Sequence, residues 1–177
     1  LSRTPTGMCL RFRTSATCIH ARWKLANKAV GEANFNQCSD SGLDLYGDDD
    51  GTWRWVATTH RFEGQEPEVC IAEKLDGIER DYLLYLPLRN KLLKLEVGVP
   101  AEVGLTRLAP REDNRIVVYG TSIVHGAYAS RPGLVYPAIL GRRLQRPVIN
   151  LGVSGNARME LELADLLAEL DDAVYVI

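Results

Sequence analysis

The sequence is short of histidine: His20, His60 and His125 are the whole supply among 177 residues. Imidazole is the usual proton acceptor in nucleophilic catalysis, so any serine chemistry has at most three candidate bases here. Long apolar runs are missing as well. No stretch approaches the roughly 20 residues that cross a bilayer as a helix, so no transmembrane helix and no membrane partner is expected. An excess of positive charge is also missing, because 21 Lys and Arg stand against 23 Asp and Glu, a formal net charge of -2. Without a concentrated basic face, nucleic acid is not expected as a partner. The nearest approach to such a face is Arg142, Arg143 and Arg146, which read more simply as cations complementing a helix C-terminal dipole.

Cysteine is confined to the first half, at Cys9, Cys18, Cys38 and Cys70, with no C-x-x-C pair and no zinc-like spacing. No metal and no cofactor is implied. The even count permits disulfides in three connectivities, with buried free thiols as the alternative. The chain starts at Leu1, and Leu1 to Gly7 lacks a charged start followed by an apolar stretch. No signal peptide is expected there; a mature secreted or periplasmic form and a trimmed chain both fit.

What is present is an ordinary globular composition, 46% hydrophobic and 25% charged. It is written in two grammars. From Met8 to about Leu108 short runs alternate between apolar and polar, as in Cys9 to Arg13 and in Ile19, Ala21, Trp23 and Leu25 on one parity. Such a period of two marks strands with one buried face. Leu43 to Tyr46 and Thr52 to Ala57 flank a turn-forming Gly47 to Gly51, which predicts a hairpin. Val69 to Lys74 and Arg80 to Leu86 around Asp76-Gly77 predict another, followed by Leu92 to Val97. Asp48, Asp49 and Asp50 read as a solvated turn, with calcium as the weaker alternative. An antiparallel β-sandwich or jelly roll over residues 1–108 is expected.

After a polar, proline-bearing connection the pattern changes. Arg115 to Tyr119, Pro147 to Leu151 and Ala173 to Ile177 are continuous apolar strands of the doubly buried kind. Leu134 to Leu144 and Met159 to Leu170 carry helical spacing, the second with Leu163, Leu166, Leu167 and Leu170 on one stripe. Alternating strands and helices over 113–177 predict a parallel sheet with right-handed crossovers. Three strands leave an edge and a helix-facing surface uncovered, so self-association through them is expected.

In open α/β sheets ligands bind at the carboxyl ends of the strands, which directs attention to the loops after Tyr119 and Leu151. The first reads Gly120-Thr121-Ser122-Ile123-Val124-His125-Gly126. A serine just after a strand-ending glycine presents its hydroxyl beside backbone N–H groups; the plainer alternative is that Thr121 and Ser122 cap a helix. The second, Asn150 to Asn156, has glycines that allow close backbone approach to a ligand. Neither carries a dinucleotide fingerprint or a P-loop.

Together the loops resemble blocks I and II of the SGNH (GDSL-like) hydrolases, with Thr121 where many members have Asp. Tyr119 to Ile123, Ala129 to Gly133, Tyr136 to Leu140 and Asn150 to Asn156 are similar to the bacterial GDSL-like esterases preceded by a GxDLY-type domain, whose naming motif stands here as Gly42-Leu43-Asp44-Leu45-Tyr46. The resemblance implies a flavodoxin-like, three-layer hydrolase fold, incomplete in these residues. It implies Ser122 as nucleophile, the Ser122 and Gly155 N–H groups as oxyanion donors, and Asn156 as a substrate-side residue. The family's third donor and its Asp-x-x-His segment have no counterpart here. His125, three residues past Ser122, stands where the family's base does not, and His20 and His60 read as strand or loop histidines. The implied activity is hydrolysis of carboxylic esters, with acylated carbohydrate or another small ester as substrate, and the fragment itself is expected to be inactive. Two rivals remain: a carbohydrate-binding or interaction module with Trp23, Trp53 or Trp55 as sugar platform or as core, and a flavodoxin-like nucleotide binder.

Overall fold

The computed structural model describes residues 4–29, 31–111, 115–170 and 174–177. Eight strands build the first half: β1 (Cys9–Thr14), β2 (Ile19–Leu25), β3 (Asp44–Asp49), β4 (Thr52–Thr58), β5 (Glu68–Ala72), β6 (Arg80–Tyr85), β7 (Leu92–Gly98) and β8 (Leu105–Arg107). They form a five-stranded sheet in the order β4-β3-β6-β1-β8 and a three-stranded sheet in the order β5-β2-β7. All pairings in both are antiparallel. β2 shows why the chain chose this state: Ile19, Ala21, Trp23 and Leu25 are buried while His20, Arg22 and Lys24 between them face out. These four pack with Phe12, Tyr82 and Leu84 of the opposing sheet to make one core between the layers.

The Asp-Gly turn closes the β3–β4 hairpin with Asp50 and Gly51 both at positive φ, 49° and 81°. That is the backbone a type I′ turn demands. The second expected hairpin does not exist. β5 pairs with β2, and β6 lies between β1 and β3, so the Asp76-Gly77 link crosses from one sheet to the other. Ile71 and Leu84 belong to one core between the two sheets rather than to neighbouring rungs of a ladder, a distinction that alternation alone does not carry. A five-residue helix, α1 (Gln37–Ser41), is capped by the Asn36 side chain and is too short to show in periodicity. The four cysteines are free, Cys9 and Cys70 exposed and Cys18 and Cys38 half-buried. They are therefore neither paired nor buried; the Cys38 and Cys70 sulfurs instead contact Thr58 Oγ1 and the Ala72 carbonyl.

In the second half β9 (Ile116–Gly120) runs between β10 (Val148–Gly152) and β11 (Val174–Val176), all parallel. Ala173, expected to open the third strand, and Glu112 to Asn114 of the connection lie outside the described residues. The helices are α2 (Ser122–His125), α3 (Tyr136–Leu144) after a 3₁₀ turn at Pro132–Leu134, and α4 (Leu161–Ala168). The leucine stripe of α4 is only partly covered: Leu163 and Leu167 are half-buried, none of the helix's residues is fully buried, and Leu166 is 61% exposed.

The two halves share a packed seam. Tyr46, Leu83 and Tyr85 on the outer face of the five-stranded sheet bury Val135 and Ala138 of the α/β half. The middle strands of that sheet are therefore covered on both faces. Within the GxDLY motif, Asp44 accepts from the Gly133 N–H at 2.9 Å and the Trp55 indole N–H at 3.1 Å. Arg131 Nε lies 3.2 Å from the same carboxylate, an ion pair without hydrogen-bond alignment. Gly133 has no room for a side chain, since a Cβ there would fall 2.4 Å from the Tyr46 ring. Arg142 stacks 3.8 Å from the centre of that ring and donates to the Gly133 carbonyl. It is thus a seam residue, more than a cation complementing the end of α3.

Candidate active site

The site grows from two strand ends held in register. β9 and β10 pair parallel so that Gly120 stands beside Gly152, and both loops leave the same edge of the sheet. Beyond Gly120 the chain turns sharply into α2, with Val124 folded so close that a Cβ on Gly120 would lie 2.5 Å from its methyl group. Ser122 is the first residue of that helix and is half-buried. As an N-terminal helical residue its N–H has no intrahelical acceptor. The capping alternative is not what the structure contains: Thr121 occupies the N-cap position, but its side chain makes no capping hydrogen bond.

The second loop is fastened to the first at three points. Val153 N–H donates to the Gly120 carbonyl at 2.8 Å. The buried Asn150 side chain donates to the Val124 carbonyl at 2.8 Å and accepts from Gly152 N–H at 2.8 Å. Gly152 presses its backbone against α2, where a Cβ would meet His125 N at 2.0 Å. Past these anchors, Asn156 N–H closes a turn on the Val153 carbonyl at 3.1 Å, with Gly155 at φ 75° in the third position. Only glycine holds that position of a type II turn without strain. The turn bond uses Asn156 N–H and leaves Gly155 N–H unused by the turn. Gly155 and Asn156 are exposed, and Asn156 borders a trough of 740 Å³ bounded by Thr6, Met8, Leu151, Glu160 and Leu163.

His125 does not reach Ser122. The residue is 4% exposed and its ring packs edge-on against Phe35. Nε2 is 2.8 Å from the Leu88 carbonyl and Nδ1 is 3.0 Å from Ser154 Oγ. A carbonyl can only accept, so Nε2 carries the proton and Nδ1 accepts from the Ser154 hydroxyl. Burial lowers the His125 pKa, the Leu88 hydrogen bond opposing it. His20 and His60 are exposed in the β-rich half. Of the tryptophans, Trp23 is buried with its N–H on the Ser41 carbonyl, Trp53 is half-buried, and Trp55 is 51% exposed with the Arg131 guanidinium 4.8 Å from its ring centre. No group of three or more His, Cys, Asp or Glu able to hold a metal occurs among the described residues. Sequence reasoning missed the fastenings, Asn150 and Ser154 above all, although a polar Asn inside a buried strand was a visible signal.

Residues 113–177 match the GDSL-like Lipase/Acylhydrolase family, and residues 1–105 match the N-terminus of the SGNH-hydrolase-type esterases. No curated protein matches the chain. Among solved structures, a protein from Bacteroides ovatus described as a GDSL-like lipase is 37% identical, with a TM-score of 0.88 over 96% of this chain and 50% of its own. A salicylyl-acyltransferase from a tetracycline biosynthetic pathway is 21% identical, with a TM-score of 0.65 over 94% of this chain and 46% of its own. A family two carbohydrate esterase from Clostridium thermocellum is 13% identical, with a TM-score of 0.57 over 86% and 46%. The chain therefore spans about half the length of the structures it matches, and the last two likenesses concern the fold alone. With esterase-type sequence matches over both halves, the chain belongs to the GDSL-like lipase/acylhydrolase family and carries that family's GxDLY-type N-terminal domain.

Proposed function

We propose that this chain is the front part of a serine esterase in which Ser122 is the nucleophile. The observation that carries the reading is the register of Gly120 with Gly152, which brings the Ser122 helix start and the Gly155 turn to one sheet edge. Ser122 Oγ attacks the ester carbonyl and its proton goes to a base. The oxygen of the tetrahedral intermediate is met by the Ser122 and Gly155 N–H groups, the alcohol leaves with a proton, and water releases the acid from the acyl-enzyme. Asn156 borders the substrate side. The base and its carboxylate partner come from sequence beyond these 177 residues, because each histidine here is committed or remote. Residues 1–108 and 113–177 form the two working domains. A small ester, acylated carbohydrate in particular, is the proposed substrate.

In the longer protein, Ser122→Ala is expected to lower p-nitrophenyl acetate hydrolysis by at least about 10³-fold, and residues 1–177 alone to show no Ser122-dependent turnover. Near wild-type rates in the alanine variant would refute the assignment. Trp55 supports a second reading, a carbohydrate-binding module. Oligosaccharide binding by this chain, with no ester hydrolysis by the longer protein, would favour it.

A further inference from the structure

We infer that His125 is a positioning residue that fixes the oxyanion-donating peptide through Ser154 and ties it to the β-rich half. This rests on the reading of Ser122 and Gly155 given above. The N–H of Gly155 belongs to the peptide plane joining it to Ser154. In a type II turn that central plane is the one able to rotate, exchanging the directions of its N–H and C=O, and Gly155 has the conformational freedom to follow. Ser154 is the residue on the other side of the plane. Ser154 is exposed on the loop, yet its hydroxyl is held by the ring of His125, a residue only 4% exposed. Anchoring that side chain restrains the backbone torsion that sets where Gly155 N–H points.

The ring is in turn held from the opposite side. The Leu88 carbonyl accepts from Nε2, and Thr6 Oγ1 lies 3.2 Å from Nε2 while donating to the same carbonyl at 2.6 Å. Phe35 closes one side of the imidazole, and the Gly152 backbone lies against the His125 main chain. Leu88, Thr6 and Phe35 all belong to the β-rich half, so the chain of contacts runs from that half through an imidazole to the turn bearing Gly155. Neutral His125, which its burial favours, has the accepting Nδ1 the Ser154 hydroxyl requires.

Two isosteric changes separate the two ends of the ring. His125→Asn places its side-chain oxygen near the position of Nδ1, keeping the Ser154 link and losing the Leu88 link. His125→Gln reaches the position of Nε2 and does the opposite. In the longer protein, His125→Gln and Ser154→Ala are each expected to lower kcat about tenfold to a hundredfold with KM little changed, as misplacement of a transition-state donor does. The double variant should fall no further than either single one, because both remove the same hydrogen bond. His125→Asn should keep kcat within a few-fold of wild type while its Tm falls. In residues 1–177, the Gly155 amide resonance should stay sharp in wild type and His125→Asn and broaden by exchange in His125→Gln and Ser154→Ala. A kcat and a Gly155 resonance that follow the Leu88 link, or that ignore all three changes, would overturn the inference. Hydrolysis surviving Ser122→Ala would overturn the underlying reading instead, and the resonance test would still decide the role of His125.

Discussion

The molecule contains two three-stranded sheets with opposite fates. In β5-β2-β7, the inward residues of the central strand, Ile19, Ala21, Trp23 and Leu25, are each at most 1% exposed because a second sheet lies over them. In β10-β9-β11 the central strand is also buried, but β11 is exposed along its length and the helix beside it, α4, has no fully buried residue, Leu163 and Leu167 being half-buried. Leu161, Leu166 and Ile177 face solvent with as much apolar character as anything inside the sandwich. Strand count therefore does not make a core. A layer is finished when each apolar face has a partner, and in the α/β half the seam with the β-rich half supplies one partner, against α3, and leaves the far side open.

The sharpest way to break this contrast is to cut the finished core. Leu84→Ala removes a fully buried side chain from between the two sandwich layers and is expected to cost about 2–5 kcal/mol, read as a lowered urea midpoint. A loss under about 1 kcal/mol would mean that the sandwich is less complete than its burial indicates.

Next comes the seam. Asp44→Asn turns an amide N–H toward groups that now donate to a carboxylate, so about 1–3 kcal/mol should be lost. Burial pushes the Asp44 carboxyl up to about 6, against the pull of Arg131 and of the Gly133 N–H. The unfolded chain titrates at an ordinary value near 4, so between the two the folded chain holds the extra proton. Stability linked to Asp44 is gained as pH falls from about 6 to about 4 and lost as pH rises. Asn does not titrate, so the difference between wild type and variant should be widest near pH 4. Urea titrations at both ends of that window measure it, and a gap widening toward neutral pH would reverse the assigned sign.

The smallest effect belongs to the open side. Leu166→Ala should change stability by less than about 0.5 kcal/mol. Combined with Leu161→Lys it should raise the monomer fraction in sedimentation velocity, because the association expected of the uncovered surface loses its apolar anchors. A destabilisation matching that of Leu84→Ala would erase the distinction between the two halves.

The same contrast explains what could be read from the residues. Alternation in β2 and the Asp50-Gly51 turn are local properties, and both were legible. The partner of β5 was not, because Ile71 and Leu84 look equally apolar whether they meet along a ladder or across a core. The leucine stripe of α4 announced a helix without saying what would cover it. At the site, the glycines and Ser122 were visible as a motif. The hydrogen bonds of Asn150, Ser154 and His125 join residues 26 to 37 positions apart, and no periodicity encodes such pairs.

Asp44 and Gly133 sit 89 residues apart and on opposite sides of the seam, yet each is fitted to the other. Their fit sets a limit on modularity. A GxDLY-type domain transplanted onto another hydrolase would bring a carboxylate that keeps the Trp55 N–H but lacks the Gly133 N–H, and a hydrolase without its sandwich would leave that Gly133 N–H unmet. The two halves are a matched pair, and recombination between relatives should succeed only where the seam travels intact.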